Sequence, residues 1–320
     1  MKVNKIITVS TAAIVLAAVI AVISCGQADQ SSVSGTLNIS GAWALYPLAM
    51  KWKSEYMKTH TEVKIEISAG GAGKGMTDVM AGKVDLAMVS RDVFPEESAQ
   101  GAVGLAVARD AVLPTISAFN PFFTEISKTG ATRQELEEVW RGKKPVSWEQ
   151  LIGKSGNSEI QVYTRSDACG AGQVWAQYLH GNQEDLGGIG IYGDPGIADK
   201  VKTDKAGIGY NNIGYIYNPE TKRPYDGLAV FPIDLNENGV IDKDEDVYGS
   251  QEDLLAAIQS GKLPSPPVRK LYFVYNTRSR TELATDFLKW VITVGTKYVE
   301  ATGYVVLSEK ELAECLNLLQ

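Results

Sequence analysis

The sequence predicts an α/β protein built from two domains. The chain has 320 residues, 44% of them hydrophobic, which is enough for two cores. From residue 35 onwards, short apolar runs alternate with amphipathic helical segments, a pattern typical of parallel sheets covered by helices. Two long extended runs, 109–121 and 268–277, lie far apart in the chain. They predict two crossings between the domains, so that the C-terminus completes the first domain.

The N-terminus has the pattern of a secretory signal peptide over residues 1–25. Lys2 and Lys5 precede the apolar run "TAAIVLAAVIAVIS", which ends at Cys25. The ending "VISC" resembles a bacterial lipobox, which predicts that Cys25 is lipidated and anchors an exported protein to a membrane of the cell envelope. A short membrane-spanning anchor is the alternative, but the run is shorter than the ~20 residues that a span needs. Residues 26–34 are polar and predict a tether.

Charge and cysteine content exclude some partners. Loss of Lys2 and Lys5 takes the basic count from 31 to 29 against 38 acidic residues, a net charge near −9. A chain this acidic is not expected to bind nucleic acid, and any anion must be held by local geometry. Cys169 and Cys315 lie far apart and outside any CxxC motif, so we expect both to be unpaired.

In the first half the elements alternate in β-α-β-α-β order. The predicted segments are strand 35–40, helix 45–60, strand 62–68, helix 73–83 and strand 84–90. Parallel sheets bind ligands at the carboxyl ends of their strands. The loops that follow the three strands, 40–47, 68–76 and 89–92, are therefore candidate parts of a binding site.

The second half restarts the alternation. Helix 132–142 is followed by strand 159–167 and helix 171–181, and helical stripes at 281–303 and 308–319 close the chain. The turn "TRSDACGAG" places Arg165 two positions from Asp167, directly before a helix N-terminus.

Four segments together resemble the phosphate-binding proteins of bacterial phosphate ABC importers, in the same order and with similar spacing. They are "ISGAWALYPLAMKW", "SAGGAGKGMTDVMAGKVDLAMVSRD", "YTRSDACGAG" and "AGIGYNNIGYIYN". The resemblance covers nearly the whole mature chain. It implies a two-lobed periplasmic-binding-protein fold of type II, with a two-strand hinge, that closes on one dehydrated oxyanion and delivers it to a membrane permease. Lobe I is then 35–117 with 271–320, lobe II is 118–270, and the protein is expected to be a monomer.

The loops suit such a site. Helix N-termini offer unsatisfied N–H groups and a partial positive charge, so glycine-rich turns that open helices can surround an anion. Arg165 can add a charge-assisted pair, with Asp167 holding the guanidinium in place. The alternatives are glycines that only permit turns and a solvated surface ion pair. The candidate ligand-binding residues are Ser40, Trp43, Ala44, Leu45, Tyr46, Ala72, Gly73, Ser90, Arg165, Asp167, Cys169, Gly170 and Ala171.

The chain departs from the phosphate-binding proteins at four positions. These proteins usually carry hydroxyl side chains where this chain has Leu45, Ala72, Cys169 and Ala171. Each buried polar group left without a partner costs about 1–3 kcal/mol. Phosphate therefore requires backbone amides and Ser40 to compensate, and a softer or larger oxyanion or a small organic acid stays open as the ligand.

Other functional classes have less support. "GGAGKGMT" lacks the Ser or Thr that a P-loop needs directly after its lysine, and the two histidines, His60 and His180, stand in no metal or nucleophile motif. We therefore expect no enzyme activity. An envelope enzyme acting on phosphoesters and a sensor or adhesion protein on the same fold remain as alternatives.

A separate motif, "DLNENGVIDKDE" at 234–245, matches the twelve-residue EF-hand loop and predicts a structural calcium ion. Gly239 permits the sharp turn at position 6. The alternative is an acidic loop of Asx turns. The predicted oxygen ligands are Asp234, Asn236, Asn238, the carbonyl of Val240, Asp242 and Glu245.

Overall fold

The computed structural model describes residues 33–320, and Ser34–Gln320 form one compact unit. The predicted signal peptide 1–25, its lipidation site Cys25 and all but the last two residues of the tether lie outside the described residues. Within 33–320, no helix combines the length and apolar character that a membrane span needs.

Nine strands form one curled sheet in the order β2-β1-β3-β9-β4-β7-β5-β6, with β8 paired to β4. The strands β1 to β3 are parallel to one another, as are β5 to β7, while β9 runs antiparallel to β3 and β4. The strands are β1 Gly35–Gly41, β2 Val63–Ala69, β3 Leu86–Val89, β4 Ala102–Ser117, β5 Gln161–Arg165, β6 Ile189–Ile191, β7 Gly207–Asn212, β8 Leu228–Val230 and β9 Val268–Asn276.

The helices cover the faces of the sheet with stripes of buried apolar residues. In α1 the buried positions are Leu48, Ala49, Trp52 and Tyr56, the spacing of one helical face. The helices are α1 Tyr46–Met57, α2 Ala72–Met80, α3 Pro95–Ala99, α4 Phe123–Thr129, α5 Arg133–Arg141, α6 Trp148–Leu151, α7 Gly170–Tyr178, α8 Gly193–Thr203, α9 Ile213–Ile216, α10 Gln251–Gln259, α11 Glu282–Thr293 and α12 Glu309–Asn317.

The two-strand hinge is formed by β4 and β9. The first part of β4, Ala102–Ala111, pairs with β9, and its second part, Val112–Ile116, pairs with β7 of the other lobe. The predicted two-lobed fold is confirmed. The parallel order expected for the first half holds for β1 to β3, and the two hinge strands, which cross between the lobes in opposite directions, pair antiparallel. The predicted lobe limits fall at the end of β4 and inside β9, and they stay a prediction.

Candidate functional site

Loops of both lobes meet at the carboxyl ends of β1, β2, β3 and β5, where the sequence placed the candidate site. The amide of Gly73 donates to the carbonyl of Ala168 across the lobes, at 3.3 Å. Gly170 lies so close to Ser90 that a Cβ on it would stand less than 3.0 Å from the Ser90 hydroxyl and carbonyl. The two lobes therefore touch directly through predicted site residues, and glycine is needed at 170 for this approach.

Arg165, the last residue of β5, is buried and fully engaged with acidic side chains. Its Nε and Nη2 donate to the two oxygens of Asp167 at 2.8 and 2.5 Å, and its Nη1 donates to Asp194 at 2.5 Å. The Arg165 side chain is only 1% exposed, so this pair is not a solvated surface ion pair. Two of the five guanidinium N–H groups remain for a ligand. Burial lowers the pKa of Arg165, but the carboxylates offset burial and hold it above its ordinary value.

A series of buried hydrogen bonds and an ion pair connects Arg165 to the hinge. Asp194 accepts from the side-chain amide of Asn212, whose oxygen accepts from Arg269. Arg269 in turn lies 3.3 Å from Asp110, its register partner across the hinge strands. The site therefore reaches from the loop after β5 to both hinge strands.

Sequence reasoning missed these hinge and network residues. Asn212 lies inside "AGIGYNNIGYIYN", which supported the family resemblance but was given no role in binding. Asp194 stands at the start of α8 after a three-residue strand, β6, that is too short to show an apolar pattern. Asp110 and Arg269 are charged residues inside extended apolar runs, and this unusual placement was the available signal.

Burial raises the pKa of Asp110 to about 6, although Arg269 and the amide of Ile213 oppose the shift. Arg269 is 7% exposed, and its Nε and Nη1 have no hydrogen-bond partner among residues 33–320. The hinge therefore contains an incompletely satisfied ion pair.

Cys169 stands where a hydroxyl was expected and acts as the N-cap of α7. Its Sγ accepts from the amide of Gly172 at 3.2 Å, while its own amide donates to Gln183 at 3.1 Å. Burial raises the pKa of the Cys169 thiol to about 12, so the side chain is neutral. Cys169 and Cys315 are both buried, and neither forms a disulfide within residues 33–320. Ala171 is buried in the first turn of α7.

The candidate residues of lobe I lie close to the contact between the lobes, but several of their polar groups already have hydrogen-bond partners. The Ser40 hydroxyl donates to Asp78 at 2.9 Å, so its proton is used within lobe I. Leu45 is fully buried, and Ala72 is buried at the start of α2. The carbonyl of Ala44 accepts from the hydroxyl of Tyr304.

Trp43 and Tyr46 stand at the lobe boundary. The Trp43 carbonyl accepts from Tyr215 of lobe II at 3.1 Å, and its ring packs edge-on against Tyr192 with centroids 6.3 Å apart. Tyr46 lies 6.2 Å from Trp43, centroid to centroid. These two side chains are therefore available at the edge of the lobe contact.

The loop 234–245 folds around its own carboxylates. Asp234 accepts from the amides of Asn238 and Gly239 at 3.3 and 2.8 Å. Asp242 accepts from the side-chain amides of Asn236 and Asn238 at 3.0 and 2.8 Å. Both oxygens of Glu245 accept backbone amides of the loop. In the described part of the chain, no three His, Cys, Asp or Glu side chains are grouped as metal ligands.

The family model of the PBP superfamily domain matches residues 26–294 of the chain. The chain belongs to this family. The phosphate-binding protein PstS of Staphylococcus aureus is 23% identical over 301 residues, which cover 92% of this chain and 85% of that protein. The phosphate-binding protein PstS of Bacillus subtilis is 28% identical over 207 residues. These residues cover 60% of this chain and 66% of the Bacillus subtilis protein.

Among solved structures, this PBP superfamily domain is similar to a phosphate ABC transporter substrate-binding protein with bound phosphate from Clostridium perfringens. The TM-score is 0.69 at 20% identity, over 86% of this chain and 100% of that one. The likeness agrees with the two-lobed fold and its two-strand hinge.

Proposed function

We propose that this PBP superfamily domain is the extracytoplasmic solute-binding component of an ABC importer and binds phosphate or a related oxyanion between its lobes. The named function of the relatives supports this proposal: the two bacterial relatives are phosphate-binding proteins, and the structural neighbour is a transporter component with bound phosphate. Their names describe binding and transport rather than an enzyme activity.

The buried Arg165 guanidinium is the observation that carries the proposal. It lies between Asp167 and Asp194, and its partner Asp167 lies close to Gly71 in the loop before α2 of lobe I. Because its single positive charge is more than offset by two carboxylates, Arg165 alone cannot hold a dianion. The backbone N–H groups and dipoles at the starts of α2 and α7 supply the remaining attraction.

Isothermal titration with inorganic phosphate tests the proposal on Arg165→Lys and Arg165→Ala. Lysine keeps the charge that balances the two carboxylates but loses the planar fork, so we expect phosphate to bind at least tenfold more weakly. Alanine removes a charge-assisted pair of about 3 kcal/mol, equivalent to at least a hundredfold loss.

Arg141→Lys is the matched control. Arg141 lies in the same lobe and pairs with Glu137 at 2.6 Å, away from the lobe contact. We expect this variant to bind phosphate as the wild type does. Folded Arg165→Lys protein with unchanged phosphate affinity would overturn the proposed site.

We also propose that Cys25 carries the lipid anchor. The lipobox-like "VISC" supports it. The measurement is the distribution of full-length protein between membrane and soluble fractions: Cys25→Ser should move it out of the membrane fraction, whereas Cys315→Ser should not. Equal retention of both variants contradicts a lipid on Cys25.

We propose, finally, that the loop 234–245 binds calcium as a structural ion. The donor set fits a hard cation, because Asp234, Asn236, Asn238 and Asp242 carry side-chain oxygens and hydrogen bonds within the loop link these four residues. Calcium binding requires Glu245 to exchange its bonds to backbone amides for bonds to the ion.

A further inference from the structure

A pocket of about 510 Å³ opens between the lobes, beside the loop that follows β1. Aromatic, proline and aliphatic side chains of both lobes line it, with Asp199 and Lys202 of α8 as its charged residues. The residues that matter here are Trp43, Tyr46 and Met50 from lobe I, and Pro195, Tyr215 and Tyr225 from lobe II. Its volume lies within the range of small-molecule binding sites.

The pocket adjoins the buried charges of the candidate anion site. Pro195 directly follows Asp194, the second carboxylate on Arg165. Tyr215 lines the pocket while its hydroxyl donates to Trp43 across the lobes. Burial and the negative charge of Asp194 raise the pKa of Tyr215, and the positive charge of Arg165 opposes them. Gly193 joins the two regions, because its amide donates to Asp167 and a Cβ on it would stand 3.4 Å from the Trp43 ring.

Trp43 presents an unused donor at this boundary. Its Nε1 is buried and has no hydrogen-bond partner among residues 33–320. A buried N–H without a partner is costly, so a polar atom of a ligand is the acceptor that this position lacks.

The anion site itself is poor in side-chain donors. Leu45, Ala72 and Ala171 are buried without a hydroxyl, and the Cys169 thiol accepts from Gly172 within its own helix. Inorganic phosphate presents four oxygens to a site. A phosphonate presents three, and its fourth substituent is carbon, which matches a site with fewer donors beside an apolar pocket.

We propose that the ligand is a phosphorus oxyanion with one apolar organic substituent, a phosphonate or a phosphate monoester. The oxyanion lies against Arg165 and the N-terminus of α7, and the organic group lies in the pocket between Trp43, Tyr46 and Tyr215. This inference rests on the proposed function of the cleft. A ring of phenyl size suits the pocket, because aromatic pairs favour stacked or edge-to-face packing.

Isothermal titration of the mature protein with four compounds tests the inference: inorganic phosphate, methylphosphonate, phenylphosphonate and phenyl phosphate. We expect phenylphosphonate to bind at least tenfold more tightly than methylphosphonate and inorganic phosphate. The comparison of phenylphosphonate with phenyl phosphate distinguishes a phosphonate receptor from a monoester receptor.

Variants on the two walls locate the organic group. Tyr225→Ala in lobe II and Met50→Ala in lobe I should each reduce the ratio of phenylphosphonate to methylphosphonate affinity at least fivefold. Phe119→Ala is the matched control, since Phe119 is a 64% exposed aromatic residue of lobe II outside this pocket. We expect it to keep the wild-type ratio.

The outcomes separate the two levels of the proposal. The proposed organic substituent is wrong, and the phosphate site stands, if inorganic phosphate binds and the phenyl compounds bind no more tightly. The same conclusion follows if Tyr225→Ala and Met50→Ala leave the ratio of phenylphosphonate to methylphosphonate affinity unchanged. If none of the four compounds binds, the proposed function of the cleft fails as well.

Discussion

At the scale of single residues, the buried charges between the lobes are the feature that is hardest to predict from the sequence. The pairing of Arg165 with Asp167 could be predicted, because the two residues are neighbours in a turn. Asp194 and Arg269 reach the same region only through the fold, and no local pattern brings them together. Likewise, sequence reasoning registered Cys169 as a missing hydroxyl, whereas the structure makes its sulfur the cap of α7.

Asp110 predicts a pH dependence of stability. Its pKa is raised from 3.8 to about 6 in the folded protein, so burial penalises the ionised form. The unfolded chain ionises first as pH rises, and the free energy of unfolding should fall by about 2 kcal/mol between pH 4 and pH 7 through this group. Urea unfolding at several pH values should show this loss in the wild type and not in Asp110→Asn.

Asp226→Asn is the control for this prediction, because Asp226 is an exposed aspartate of lobe II. It should retain the wild-type pH dependence. If Asp110→Asn also retains that dependence, the buried carboxylate is not its source.

At the scale of elements, periodicity predicts most strands and helices of the sheet because each has one or two buried faces. The elements around the candidate site are harder to predict from the sequence. β6 has three residues and α9 has four, too few to show a period, yet Asp194 follows the first and Asn212 precedes the second. The loop 234–245 is the opposite case, since its predicted calcium ligands follow one another in sequence and need no distant partner.

The proposed calcium site in the loop 234–245 predicts that the stability of the folded protein depends on calcium. Without a cation, the carboxylates of Asp234, Asp242 and Glu245 repel one another. An ion that binds the folded chain alone adds about 2.7 kcal/mol at a hundredfold excess over Kd. Calcium should therefore raise the melting temperature and EGTA should lower it, and Glu245→Gln should lose most of the difference.

Glu237→Gln is the matched control for that substitution. Glu237 occupies position 4 of the same loop, is exposed, and is not a predicted ligand. It should keep the calcium response. Identical wild-type melting curves in calcium and EGTA exclude the site.

At the scale of the whole molecule, closure depends on how closely the lobes approach. The sequence predicts the two crossings, because long extended runs are visible in it. It does not predict the direct contact of Ser90 with Gly170, which depends on how far the lobes rotate about β4 and β9.

Gly170→Ala should hold the lobes apart. The new Cβ would meet the backbone and hydroxyl of Ser90, so small-angle scattering should give a larger radius of gyration and phosphate should bind more weakly, by at least tenfold. Gly249→Ala is the control, because a Cβ there meets nothing within 4 Å. An unchanged radius and affinity in Gly170→Ala would show that this contact does not limit closure.

The return of the chain through β9 also determines the order in which the lobes can fold. β9 lies between β3 and β4 in the sheet, and its Val274 pairs with Ala87. Until the residues from Val268 onwards are available, β3 and β4 have open edges and lobe I lacks the strand that joins them. Open strand edges promote aggregation. A chain truncated before Val268 should therefore be degraded by proteases more readily than the full chain, even though it contains nearly all of lobe II.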